Sequence, residues 1–506
     1  STLDDPSFPS SIALGFLEQE QRGALLFDID SSDLKRLQEL QLPYRLETPN
    51  RAVPSGYRDT EDAITFMEDF AQTYPDIATL HNIGSSVQGR PILGLQIRDT
   101  DDPINSWKIL GTHHGDELSA SETSLDFIQF IDDNVNTPEL DTWLQSNELW
   151  IVPHVNPDGI ESVSRYNANY VDLNRNYDWE WTSEEFLSGD HAFSEPETQA
   201  IRILEEWTSF TGGLSLHSGA ANISWVWNYS VAPVIDAQLV YSLAEEYDAH
   251  CDQPDFYIIN GAEWYITYGD TTDWSYGAQG SFDLTLEVSE NKRPPIHQME
   301  QISEYHIPAI WNFLQWEHWI SANIYDSESG MPIRAEWQLL EDGHLDRGDV
   351  SGRLSRLVES DGLWSLEISA AGYQSQVLSI ESNHPAEIYL EKEPNFQPTT
   401  CTIQEASQVD LSFDEEFSEV ALWKQGAEIL ILEEQSGSWQ ASSPTLLSGV
   451  YDLQTDQGWR RNALVLVDKL EVSGSQLDDN VWLIENSVLK STPSTTISEQ
   501  CVFQIR

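Results

Sequence analysis

Cysteine, positive charge and long apolar runs are all scarce in this chain of 506 residues, and each scarcity excludes something. Three cysteines cannot form a disulfide framework, so packed cores must hold the fold. Cys401 and Cys501 bracket one C-terminal segment and are expected to pair. Cys251 is left over and reads as a small buried residue. No apolar run approaches the ~18–20 residues of a membrane-spanning helix, so no span is expected. Lys and Arg number 25 against 85 Asp and Glu, a formal net charge of −60. A surface of that sign repels nucleic acid and anionic lipid, so neither is an expected partner. The acidity reads as a solvated coat whose self-repulsion salt would screen.

What the chain has in quantity is apolar and aromatic material. Hydrophobic residues make up 40%, with 19 Trp, 18 Tyr and 17 Phe, which suits packed cores and argues against disorder. The length calls for two to four domains. Residues 1–54 read as an N-terminal extension or pro-segment remnant. It has a strand-like Leu25-Leu-Phe-Asp-Ile-Asp30 and a helical Leu34, Leu37, Leu40 spacing. The start at Ser1, with no n-region and h-region pair, reads as a mature form. Its signal peptide would already be removed, so a secreted or periplasmic monomer is expected.

Residues 55–318 alternate helical and strand patterns. Buried strands are expected at Ile92-Leu-Gly-Leu-Gln-Ile97, Trp107-Lys-Ile-Leu110, Leu149-Trp-Ile-Val152, Leu214-Ser-Leu216 and Leu284-Thr-Leu-Glu-Val288. Helices are expected over 59–71, 195–207, 234–250 and 301–320. Such alternation predicts an α/β fold with a parallel or mixed central sheet, whose sites form at the carboxyl ends of strands. From 319 to 393 the runs become short, with turn signals such as Ser360-Asp-Gly362, which predicts a β-sandwich of about seven strands. A proline-bearing linker follows. Residues 399–506 read as a second all-β domain, of unknown role.

The chemistry concentrates after the strand at 107–110, in His113-His-Gly-Asp-Glu117. Zinc favours imidazole nitrogen and carboxylate oxygen, and a catalytic zinc takes three protein ligands. Spacing allows His114 with Glu117, or His113 with Asp116, and does not choose. His217, at a later strand end, is the candidate third ligand. Arg165 and Arg175 stand out in a cation-poor chain, and Arg175 beside Asn174 suits a bidentate grip on a carboxylate. Glu287 lies among apolar strand neighbours, and a buried Glu needs a partner.

Seven motifs then stand in order: His114-Gly-Asp-Glu117, Asn156-Pro-Asp-Gly159, Asp172-Leu-Asn-Arg-Asn176, Leu216-His-Ser-Gly219, Trp264-Tyr265, Asp273-Trp-Ser-Tyr276 and Thr285-Leu-Glu287. Together they make residues 55–318 resemble the zinc metallocarboxypeptidases. Asp-Leu-Asn-Arg-Asn and Trp-Tyr look most like the regulatory, carboxypeptidase N/E-type branch, in which a transthyretin-like sandwich follows the peptidase domain. The resemblance implies the carboxypeptidase fold: a mixed eight-stranded sheet with helices on both faces, here followed by two small all-β domains. It implies one zinc held by His114, Glu117 and His217, with Asp172 fixing the tautomer of His114. It implies Glu287 as the general base acting on a zinc-bound water and Arg165 as oxyanion stabiliser. Asn174, Arg175 and Tyr265 would bind the C-terminal carboxylate of a peptide or protein. Asp116 departs from the Arg of many digestive members, so the outer subsites are expected to differ. Thr272 takes the place that shapes the side-chain pocket, near Asp270, while Asn228 stands where the branch has Asp. A preference for basic C-terminal residues therefore rests on Asp270. The expected activity is removal of single C-terminal residues. A hydrolase of cell-wall peptides and a catalytically inactive binding module are the alternatives.

Overall fold

A computed structural model describes residues 53–392, apart from 102, 186, 341–344, 349–351 and 371–372. It also describes the backbone of strands within 17–27 and 402–505. The chain divides into two units, Ser1–Arg51 and Ala52–Arg506. The first holds an antiparallel pair, β1 (Leu17–Gln21) and β2 (Ala24–Phe27), which covers part of the expected strand. The helix expected near Leu34, and the pairing of Cys401 with Cys501, lie outside the described residues.

The second unit is built on eight strands: β3 (Ala78–Ser85), β4 (Pro91–Ile97), β5 (Asn105–Gly111), β6 (Asn147–Val152), β7 (Gly212–His217), β8 (Ala220–Trp225), β9 (Tyr257–Asn260) and β10 (Phe282–Ser289). Their order is β3-β4-β6-β5-β7-β10-β8-β9. The middle four, β6-β5-β7-β10, run parallel, and antiparallel pairs flank them. The sheet is mixed, as expected.

Successive strand residues point to opposite faces. Ile109, Leu149 and Ile151 enter one core with the helices Thr60–Thr73, Leu118–Asn134, Ala237–Ala249 and Met299–Leu314. Leu110, Trp150 and Val152 enter a second core with the helix Pro196–Trp207. Helices thus cover both faces. The helix Thr60–Thr73 starts where Asp59 accepts from the Asp62 N–H, with Glu61 and Asp62 in the first turn to suit the helix dipole. The helix expected over 301–320 is shorter, ending at Leu314. Ile320 is instead a fully buried strand residue, paired with Arg356, and this pairing outweighs the helical pattern there.

That strand opens a second layer: β11 (Trp319–Asp326), β12 (Glu336–Leu339), β13 (Leu345–Arg347), β14 (Arg353–Leu357), β15 (Leu363–Ser369), β16 (Gln376–Glu381) and β17 (Ala386–Leu390). They form sheets β14-β11-β17 and β13-β12-β15-β16, and both feed one core around Trp337, Leu354 and Ile388. Polar contacts tie this sandwich to the larger sheet. Arg353 donates to the Pro103 carbonyl at 2.8 Å, and Ser355 to Asn105 Oδ1 at 2.6 Å. Among the described residues no helix is long and apolar enough to cross a membrane.

Two buried histidines make the fold acid-sensitive. His306 Nε2 lies 3.0 Å from the Val288 carbonyl and so carries the proton, which leaves Nδ1 to accept from Tyr247 Oη at 3.0 Å. His154 Nε2 meets Ser121 Oγ at 2.6 Å. Burial pushes both pKa values down to about 4. The unfolded chain takes up these protons near pH 6.5 and the folded chain does not, so stability falls as pH drops from 6.5 towards 4. Each histidine is expected to contribute up to about 3 kcal/mol to that loss. Denaturant titrations of the wild type and His306→Gln across this range test it. Curves that stay parallel would count against the His306 share.

Candidate active site

The parallel strands all present their carboxyl ends to one side, and β5 is where the order switches, with β6 on one flank and β7 on the other. That is the crevice position of open α/β sheets. Immediately after β5 the chain turns sharply through Thr112, at φ 43°. At Gly115 a Cβ would stand 2.0 Å from the Gly159 carbonyl carbon, so the loop must be glycine there to seat on the next motif. Asn156 completes the seat. Its Oδ1 accepts from the Gly159 N–H at 2.8 Å, and its Nδ2 donates to the His113 carbonyl at 3.0 Å. The Asn-Pro-Asp-Gly motif is therefore a scaffold for the histidine loop.

His114, Glu117 and His217 meet here, all buried, with their ligating atoms within 4.8 Å of one another. His114 Nδ1 lies 3.0 Å from Glu117 Oε1 and 3.1 Å from His217 Nδ1, which is 2.9 Å from Glu117 Oε2. The far nitrogen of His114, Nε2, contacts Asp172 Oδ1 at 3.0 Å. An N–H directed to Asp172 leaves the Nδ1 lone pair facing the other two groups. Burial drives the pKa of His217 down, which favours the neutral, ligating imidazole. Two imidazole nitrogens and a carboxylate converging in this way fit zinc. The structure thus selects His114 with Glu117 and leaves His113 outside the set. His113 instead places Nε2 2.8 Å from Tyr177 Oη.

Glu287 is the register partner of His217 across β10 and β7. It is buried, and its Oε2 has no hydrogen-bond partner among the described residues. Burial and the nearby Glu117 charge raise its pKa well above the usual range, against Lys292 and Arg165. Arg165 Nη2 pairs with Asp172 Oδ2 at 2.8 Å, and Nη1 reaches to 3.2 Å from His114 Nδ1. Burial opposes its charge, but Asp172 and Glu117 more than offset that, so its pKa rises.

Beyond the triad, Asn174 Oδ1 accepts from the Thr271 N–H at 2.9 Å, and Nδ2 lies 3.4 Å from His217 Nε2. Arg175 is buried, and its ion pair with Glu185 is long, at 3.7 Å. Tyr265 is 45% exposed, and its ring meets Trp264 at 4.6 Å. Burial raises the pKa of its hydroxyl, the Arg175 charge lowers it and the Glu287 charge raises it, and the net shift is upward. Thr272 and Asp270 lie close by. Asp270 is buried and already accepts from Thr267 Oγ1 (2.8 Å), Thr272 Oγ1 (2.9 Å), Asn228 Nδ2 (3.0 Å) and the Asp273 N–H (2.9 Å). It caps the helix Thr271–Trp274, a role that its spacing alone did not reveal.

A family model described as zinc carboxypeptidase matches residues 63–309. That stretch belongs to the zinc carboxypeptidase family. Carboxypeptidase SOL1 of Arabidopsis thaliana is 30% identical, over 56% of this chain and 61% of its own length. Carboxypeptidase D of Mus musculus is 26% identical, over 62% of this chain and 25% of its own. The catalytic chain of carboxypeptidase N from Rattus norvegicus is 26% identical, over 63% of this chain and 82% of its own. The chain thus spans less than two thirds of the first two relatives. These names support the regulatory branch.

One charged residue of the carboxypeptidase domain escaped the motif reading. Lys292 Nζ lies 2.9 Å from Asp116 Oδ2 and 3.3 Å from Glu117 Oε1. Burial favours losing its proton, but Asp116 and Glu117 hold it, and its pKa rises. Its signal was its rarity: a cation five residues past Glu287 in a chain with 25. Asp116 is therefore half of an ion pair beside the candidate zinc ligands.

Proposed function

We propose that this chain is an exopeptidase that removes single residues from free C-termini of peptides or proteins. The observation that carries the reading is Arg175, a buried guanidinium whose Nη1 donates to the Asn174 carbonyl at 2.7 Å, whose ion pair with Glu185 is long, and whose charge acts on the Tyr265 hydroxyl. A carboxylate arriving there finds a charge-assisted donor that an internal peptide residue could not use. Asn174, already oriented by the Thr271 N–H, adds its amide.

Zinc on His114, Glu117 and His217 would supply Lewis acidity, polarising the scissile carbonyl and acidifying a water. Asp172 keeps the His114 ring in the ligating tautomer. Glu287 takes a proton from the attacking water and passes it to the departing amine nitrogen. Arg165, anchored by Asp172, opposes the negative charge that grows on the carbonyl oxygen.

The test uses paired peptides with free and amidated C-termini. Free termini are expected to be cleaved one residue at a time, and the amides to lose at least about a hundredfold in kcat/KM. Equal cleavage of both would overturn the reading. The same assay addresses the last side chain. Four donors already meet the Asp270 carboxylate, so peptides ending in Arg and in Phe are expected to differ by less than about tenfold. A hundredfold advantage for Arg would restore the basic preference.

A further inference from the structure

The pocket beside the zinc ligands is built on a path that begins in the β-sandwich. Arg356, on β14, is fully buried. Its Nη2 donates to Asp236 Oδ1, and its Nη1 to Asp346 Oδ2 at 3.1 Å. The guanidinium lies over the Phe282 ring at the start of β10, with its central carbon 5.1 Å from the centroid. Asp236 belongs to the peptidase domain. It precedes the helix Ala237–Ala249 and does not cap it, since its side chain turns elsewhere. Its second oxygen, Oδ2, accepts from Tyr276 Oη at 2.7 Å.

Tyr276 connects to the pocket in two ways. Along the chain it stands in the turn Ser275–Gln279, which continues directly from Thr271–Trp274 and so from Thr272 and Asp273. Through space its ring meets Trp227 edge-on at 5.1 Å. Trp227 precedes Asn228, whose N–H donates to Asp273 at 2.9 Å and whose Nδ2 donates to Thr272 Oγ1 at 2.9 Å. Trp179 stacks on the other face of this unit, 5.4 Å from Trp227. A second close approach points the same way. At Gly280 a Cβ would stand 2.6 Å from Asp346 Oδ1, so the sandwich sits hard against the segment leading into β10.

A buried Arg with two carboxylates is a costly way to join two layers, since apolar residues of the same volume often hold as well. What it adds is direction, because a planar guanidinium fixes the angle of each partner. We propose that Arg356 is a positioning residue for the pocket wall carrying Thr272 and Asn228. The β-sandwich would then help set which C-terminal residue the peptidase accepts. This rests on the exopeptidase reading above.

The experiment compares the full-length wild type with Arg356→Met, Arg356→Lys, Tyr276→Phe and the control Arg353→Met. Arg353 lies on the same strand but contacts Pro103 and Glu148, away from the pocket. For each protein, kcat/KM is measured on peptides that differ only in the last residue, alongside zinc content and thermal midpoint. Arg356→Met is expected to change the ratio between the best and second-best last residues by about tenfold, mainly through KM, with zinc retained. Tyr276→Phe, which keeps the ring against Trp227, should shift the ratio in the same direction by less. Arg356→Lys should recover part of it. Arg353→Met should lower the midpoint and leave the ratio alone. Wild-type ratios in both Arg356→Met and Tyr276→Phe would overturn the proposal. If Arg356→Met does not fold, Tyr276→Phe decides alone. A wild type that cleaves no free C-terminus would overturn the exopeptidase reading first, and this one with it.

Discussion

Glu287→Gln is expected to lower kcat by about a thousandfold or more while the chain still binds one zinc. The substitution keeps the shape and removes only the ability to take a proton. Its Oε2 has no hydrogen-bond partner among the described residues, so the Gln variant breaks no bond at that oxygen. An orphaned, buried carboxyl oxygen is expensive to maintain, and the fold keeps it beside the metal triad. If instead Glu287 were structural, the Gln variant would lose thermal stability and keep its rate. Single-turnover rates, zinc content and melting curves on one preparation separate the two. A variant within tenfold of the wild-type kcat would remove Glu287 from the proposed chemistry.

Lys108→Met should cost about 3–5 kcal/mol of folding stability. Lys108 is fully buried on β5, with Nζ 2.7 Å from Glu205 Oε2, 3.0 Å from Asp283 Oδ2 and 3.2 Å from Ser281 Oγ. Removing it strands two carboxyl groups in the core. Even with the lysine present, burial raises the Glu205 pKa to about 7, against an ordinary value of 4.5. An acid whose folded pKa is raised loses stability as pH climbs. Without the lysine the Glu205 pKa rises further, so the deficit in Lys108→Met is expected to grow as pH climbs through 7 and to level off at its smaller value below pH 7. Urea midpoints at several pH values measure this. A deficit under about 1 kcal/mol at pH 8 would show that the cluster relaxes or admits water.

The sheet was legible because strand patterns follow from short-range rules, whereas the spacing of the histidine loop left two ligand pairs open and only the family resemblance implied one. Strand runs such as Leu149-Trp-Ile-Val152 are apolar on both faces, as a strand between two helical layers must be. The rest depends on partners far away in sequence. Lys292 meets Asp116 across 176 residues, and Arg356 meets Asp236 across 120. No local pattern announces such pairs. The capping role of Asp270 was hidden for a related reason: an Asp just before a four-residue helix reads equally as a free charge or a cap, and the donors around it show the cap. The end of the helix at Leu314 was missed because no Gly or Pro marks it, and the pairing of β11 with β14 and β17 sets it instead.

The pairing of His217 with Glu287 has one more consequence. Neighbouring strand residues face opposite ways, so a slip of one residue between β7 and β10 would turn Glu287 away from the metal ligands. The last of these strands ends at Ser289, long after the loop bearing His114 has been synthesised. Glu287 follows Glu117 by 170 residues, so the two are brought together by long-range strand pairing and by no local contact. In the proposed chemistry the base therefore reaches the ligand cluster only when β7 and β10 pair in this register.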